Sequence, residues 1–239
     1  MRLERLLQSQ GFGSRKACRL RIEAGDVRVN GAPCLDPQAE FDTAGLTFEI
    51  DGETWAYAEH VYLALHKPAG FECTHQPQHH RSVYALLSPP LVRRGVQSVG
   101  RLDADTTGLL LFSDDGRFIH AMASPKRCVA KHYRAILKHA FDETLPKQLL
   151  AGVSLTGEPT PLAALSAQQI DAYTLALSID QGKYHQVKRM VAAAGNRVEA
   201  LHRVGFGALS LEEGSLSALA PGDCCHLGEN HLALLGYRH

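Results

Sequence analysis

The chain has 239 residues, 25 of them Lys or Arg and 25 Asp or Glu, with a formal net charge of zero and 45% hydrophobic residues. These values suit one large and one small packed domain and exclude a disordered chain. No apolar run approaches the length of a bilayer span, and Met1-Arg2-Leu3-Glu4-Arg5 lacks a signal peptide's apolar stretch, so a cytoplasmic protein without a membrane partner is expected.

The charge is unevenly placed. Residues 1–31 carry Arg2, Arg5, Arg15, Lys16, Arg19, Arg21 and Arg28 against Glu4, Glu23 and Asp26, a local surplus fit for phosphate. Residues 2–10 read as a short helix with Leu3, Leu6 and Leu7 inward, and Gly11-Phe12-Gly13 turns into Ser14, an N-cap. A second helix runs to Ala24. On it Arg15, Lys16 and Arg19 share a face at spacings of three and four, while Ala17, Leu20 and Ala24 are expected to pack inward. Asp26 to Gly31 adds an alternating strand and a tight turn, Leu46 to Ile50 completes a small sheet, and Asp51 to His60 reads as a polar connection. The boundary is placed there, giving segments 1–58 and 59–239.

In the second segment, Val61 to Leu65 reads as a buried strand that Lys67-Pro68 stops. The loop from His75 to Arg81 holds His75, His79 and His80 without Cys or carboxylate at ligand spacing, so it is read as solvated. The six cysteines contain no Cys-x-x-Cys pair and are expected to be reduced. Helices are expected at 118–123, 142–151 and about 185–194, and strands at 133–137, 173–179 and 201–211. Short strands and helices without regular alternation point to an α+β fold.

The chain is organised around Gly100-Arg101-Leu102-Asp103-Ala104-Asp105-Thr106-Thr107-Gly108, followed by the apolar run Leu109 to Phe112. An Asp-x-Asp pair allows a metal clamp, a paired acid/base site, or turn chemistry in which Asp and Thr side chains bond nearby amides. Three further segments follow or precede it: Leu65-His66-Lys67-Pro68-Ala69-Gly70, Lys131-His132-Tyr133, and Gly182-Lys183-Tyr184-His185-Gln186-Val187-Lys188-Arg189-Met190. Taken together, these four ordered stretches resemble the RNA pseudouridine synthases, specifically the RsuA-type branch that acts on the small-subunit ribosomal RNA. Residues 1–58 resemble an S-four-type RNA-binding domain.

The resemblance implies a small N-terminal α/β RNA-binding domain, then a larger catalytic domain with a mixed, mainly antiparallel sheet and flanking helices. It implies Asp103 as the catalytic carboxylate, Lys188 as its cationic neighbour and Tyr133 as the ring against the target uracil. Arg101 would fill the space vacated by an extruded base, Leu201 would pack beneath the uracil, and Lys67 would support the pocket or contact backbone. Arg2, Arg5, Arg15, Lys16, Arg19 and Arg28 would bind RNA. No cofactor or metal is implied. The expected partner is 16S rRNA in a small-subunit assembly intermediate, met by a monomer. The rivals are a synthase for 23S rRNA or tRNA, a magnesium-dependent transferase using Asp103-x-Asp105, and a non-catalytic ribosome-assembly binder.

Overall fold

The structure, a computed structural model, describes residues 1–238; His239, the last residue of the expected catalytic segment, lies outside the described residues. The chain divides into two compact units, residues 1–61 with 87–96, and residues 62–86 with 97 onward.

The first unit begins with helices α1 (Leu3–Ser9) and α2 (Arg15–Glu23), the latter N-capped by the Ser14 hydroxyl, which accepts from the Ala17 amide at 3.2 Å. A four-stranded antiparallel sheet follows, from β1 (Val27–Val29), β2 (Ala32–Pro33), β3 (Thr47–Ile50) and β4 (Glu53–Ala56), in the order β2-β1-β3-β4. Leu3, Leu6, Leu7, Phe12, Cys18, Ile22, Val27, Val29, Phe48 and Ile50 form its core. Two expectations are corrected here. The inward stripe of α2 is Cys18 and Ile22, four apart, whereas Leu20 is 58% exposed and Ala24 is also exposed. The helix is turned this way because Arg15 and Arg19 both reach the buried Glu4 of α1. The stretch 51–60 is no plain connection either. Asp51 and Gly52 adopt φ of 56° and 77°, the geometry of a two-residue hairpin turn, and β4 pairs with β3 beyond it.

A short helix α3 (Pro89–Arg93) belongs to this unit although it lies far along the chain. Arg94 at its end donates to Gln10 Oε1 at 2.6 Å and to the carbonyls of Ala58 and Glu59 at 3.0 Å. At Gly11, with φ +86°, a Cβ would lie 2.0 Å from the Pro90 carbonyl oxygen, so only glycine admits this approach.

The second unit is built on β5 (Tyr62–Lys67), β6 (Phe71–Glu72), β7 (Arg81–Ser82), β8 (Gln97–Ser98), β9 (Thr107–Ser113), β10 (Lys131–Leu137), β11 (Ser166–Gln169), β12 (Thr174–Ile179), β13 (Val198–Phe206), β14 (Leu209–Ser210) and β15 (Cys224–His226). Its helices are α4 (Gly116–Ala123), α5 (Thr144–Ala151), α6 (Gln186–Ala193) and α7 (Glu229–Leu234). The main sheet runs β11-β12-β10-β13-β9-β5-β15, with β14 on β13 and β8 on β9. Every pairing in it is antiparallel except β9 with β13. The fold is therefore α+β with a mainly antiparallel sheet.

β5 and β9 read as nearly continuous apolar runs because both faces are covered. On one face Ala64, Leu109 and Leu111 pack with Phe118 and Met122 of α4, Leu232 of α7 and Phe206. The parallel seam is unusually close: a Cβ on Gly108 (φ +107°) would lie 2.2 Å from the Arg203 carbonyl oxygen. That closeness sets Asp103, five residues before Gly108, beside the residues of β13.

Candidate active site

A cavity of about 240 Å³ opens where β9, β10 and β13 meet the start of α6, and its lining includes Arg101, Asp103, Lys131, Tyr133, His185, Lys188, Leu201, Arg203 and Phe206. The turn carrying Asp103 is closed by the Thr106 amide, which donates to the Asp103 carbonyl at 3.1 Å. Lys67, at the end of β5, is fully buried beneath it. Its ammonium lies 2.8–3.2 Å from the carbonyl oxygens of Pro68, Asp103, Ala104 and Thr106. Burial pushes the Lys67 pKa down, while Asp105 and Asp103 nearby act against that shift. Lys67 thus fixes the turn's backbone and leaves the Asp103 carboxylate to others.

Those others come from α6. Lys188 Nζ stands 3.2 Å from Asp103 Oδ2 and 2.7 and 2.9 Å from the two oxygens of Asp105. His185 Nε2 stands 3.2 Å from Asp103 Oδ1. Burial alone would lower the Lys188 pKa, but hydrogen bonds to Asp105 and Asp103 outweigh it and the net shift is upward. The hydrogen bond from Lys188 in turn holds Asp105 below the usual carboxylate range. The ammonium therefore occupies the place between the two carboxylates that a divalent cation would need, which removes the geometric basis of the metal-clamp rival. His185 caps α6 with φ +46°, a left-handed conformation that aims its ring across the helix start at Asp103.

The opposite wall is contributed by neighbouring strands. Tyr133 on β10 and Leu201 on β13 are both buried, and the ladder sets Tyr133 opposite Arg203 and Ala135 opposite Leu201. Arg101 is exposed at the cavity's edge. Two further cations line the cavity, Lys131 of the third motif, to which the sequence assigns no role, and Arg203, which lies outside the motifs. Lys131 is buried, donates to the Asp180 carbonyl at 2.7 Å and has its pKa pushed down by burial. Arg203 is 3% exposed; its Nε donates to the Leu109 carbonyl at 2.7 Å, and one terminal nitrogen has no partner among the described residues. Both lie two residues from a residue already singled out, Tyr133 and Leu201, so the period of two along a strand carried the signal. His185 belongs to the motif Gly182 to Met190, but nothing in the sequence announces its left-handed backbone.

The basic residues of the first unit divide into two kinds. Arg15 and Arg19 donate to Glu4, Arg2 lies 3.7 Å from Glu40, and Arg28 donates to the Gly31 carbonyl at 2.6 Å beside Glu49. Arg5 and Lys16 are exposed and have no ion pair among the described residues. No helix is long and apolar enough to cross a membrane among the described residues.

A strand junction presenting a carboxylate to Lys188 and His185, on a cavity that Tyr133 also lines, matches a known class. Residues 61–193 match the RNA pseudouridylate synthase family and residues 1–43 match the S4 domain. The chain belongs to the RNA pseudouridylate synthases, isomerases that convert uridine to pseudouridine in RNA. It is 36% identical to an uncharacterized RNA pseudouridine synthase of Bacillus subtilis, covering 98% of each chain. It is 34% identical to ribosomal small subunit pseudouridine synthase A of Pasteurella multocida, again over 98% of each, and 35% identical to that of Vibrio vulnificus over 97% and 98%. A crystal structure of a pseudouridylate synthase, 30% identical, superposes with a TM-score of 0.68 over 98% of this chain and 99% of the other.

Proposed function

We propose that this protein isomerises one uridine of 16S rRNA to pseudouridine, acting as a monomer on a small-subunit assembly intermediate, with Asp103 as the reacting group. The observation that carries the chemistry is the Asp103 carboxylate, which opens onto the cavity between Lys188 and His185. The substrate rests on the likeness to small-subunit synthases over nearly the full chain.

The reaction breaks the N1–C1′ bond, turns the uracil and joins C5 to C1′; the C5 proton leaves and a proton is taken up at N1. It is redox-neutral. In one route an Asp103 oxygen bonds C1′ as N1 departs with the bonding pair, and C5 later displaces the carboxylate. In the other, Asp103 takes the C2′ proton as N1 departs and afterwards returns it. Both need the ionised carboxylate. Lys188 sets its ammonium 3.2 Å from that carboxylate, where the charge formed or consumed in either route is balanced. Tyr133 and Leu201 bracket the uracil, and Lys67 holds the turn so that the carboxylate does not swing away. Extruding the uridine costs a few kcal/mol of stacking and pairing, which Arg101 offsets by occupying the vacated space.

The test is to map pseudouridine across the rRNA of cells lacking this protein, then to restore wild type or Asp103→Asn. One 16S site should vanish, return with wild type and stay absent with the variant. Loss of a 23S rRNA or tRNA site with 16S rRNA unchanged would overturn the substrate while leaving the chemistry.

A further inference from the structure

Beside the uridine cavity, the loop after β6 forms a second hollow of about 420 Å³, open to solvent, whose lining includes Cys73, His75, Tyr84, Gln97 and Arg101. Gly100 and Arg101 line both spaces, so the two adjoin across that short backbone step.

The floor of this hollow is a built aromatic stack. The His75 ring lies on Tyr84 with centroids 3.7 Å apart and planes 14° from parallel. Tyr84 is itself buried, meets Phe112 edge-on at 5.5 Å, and its hydroxyl accepts from the Ser98 amide at 3.0 Å. His75 Nε2 sits 3.2 Å from the Gln97 side-chain nitrogen, which fixes the ring's rotation. The loop is held as firmly: the Glu72 carboxylate accepts from the amides of Gln78, His79 and His80 at 2.8–3.1 Å. An exposed histidine in a polar loop would ordinarily sample several rotamers. Here one face is filled by tyrosine and the other is presented flat to solvent.

We propose that the outer face of His75 stacks the base of a nucleotide adjacent to the target uridine, making this hollow a flanking-nucleotide subsite; the inference rests on the uridine-isomerising role proposed for the neighbouring cavity. Every base has a π face, so a ring platform recognises stacking area before hydrogen-bonding pattern. The subsite therefore favours a purine over a pyrimidine. Arg101, on the shared edge, separates the stacked base from the extruded uridine.

The experiment uses a short RNA fragment around the mapped uridine, with each neighbouring nucleotide in turn a purine or an abasic residue. Wild type, His75→Ala and His75→Phe are compared by affinity, and pseudouridine is read in the same samples. An abasic residue on one side should weaken wild-type binding about tenfold. His75→Ala should bind intact RNA as weakly and become insensitive to the abasic residue, and His75→Phe should restore both the affinity and the sensitivity. Wild-type affinity in His75→Ala, or an abasic penalty undiminished in it, would overturn the subsite. Failure of wild type to form pseudouridine in the fragment would place the substrate beyond it, in the assembly intermediate, and the affinity comparison would still decide the platform.

Discussion

Glu4 and Asp103 are carboxylates in different units, and each is held by two side chains that can carry positive charge. Glu4 receives Arg15 at 2.5 Å and Arg19 at 3.0 Å and has no exposed side-chain surface. Asp103 receives Lys188 and His185, both at 3.2 Å, and keeps 29% of its side chain exposed, facing a cavity. In the first, two arginines and the Gln38 side-chain amide, at 3.3 Å, close the carboxylate and fix the two helices together. In the second, the contacts are looser and one side is left for a substrate. A paired charge is thus a structural device when closed and a chemical one when open.

The open pair depends most on Lys188. Lys188→Met leaves Asp103 and Asp105 facing each other without their shared cation, and kcat should fall by about 10²- to 10³-fold with little loss of RNA affinity. Lys188→Arg should recover part of the rate. Single-turnover assays at saturating RNA check both, and wild-type turnover in Lys188→Met would remove the ammonium from the mechanism.

Glu4→Gln should do the reverse, lowering the melting temperature of the first unit while leaving kcat at saturating RNA unchanged. Chiefly through the hydrogen bond from Arg15, the Glu4 carboxyl is held below its ordinary value of 4.5. A depressed carboxylate contributes stability that is fully present above the unfolded value and is lost as pH falls through the folded one. The first unit should therefore weaken as pH drops below 4.5, and Glu4→Gln should flatten that dependence. Thermal melts from pH 3 to about 7, roughly the span over which carboxylates titrate, provide the check.

The smallest effect concerns RNA. Because Arg15 and Arg19 serve Glu4, replacing them confounds stability with binding, whereas Lys16 is unencumbered. Lys16→Ala should weaken RNA binding and reduce the slope of log K against log salt by about 0.7–0.9, one phosphate contact. An unchanged slope with unchanged affinity would return Lys16 to solvent.

What was legible follows the same division. Leu3, Leu6 and Leu7, the Ser14 cap and the strands around Leu109 and Leu175 announce themselves by period and turn chemistry, which are local. The rotation of α2 was not legible, because Cys18 and Ile22 compete with Ala17, Leu20 and Ala24 for the inward stripe and a distant Glu4 decides. The return of α3 to the first unit was hidden for a similar reason: Gly11 reads as an ordinary turn until Pro90 is seen against it. The Asp-Gly pair at residues 51 and 52 is a hairpin signal, but β4, nearly all exposed, lacks the alternation that would mark a strand beyond it. Within the site, Asp103 and Lys188 lie 85 positions apart, and only the matched motifs joined them before the geometry placed them 3.2 Å apart.

The most direct measurement is release of tritium from RNA labelled at C5 of uridine, because the C5 proton must leave when C5 joins C1′. It should be made with wild type and with Asp103→Asn after the two are shown to melt alike and bind the RNA alike. Wild type should release tritium stoichiometrically, and Asp103→Asn at a rate lower by more than about 10⁴-fold. Release by Asp103→Asn at a rate near that of wild type would remove Asp103 from the reaction.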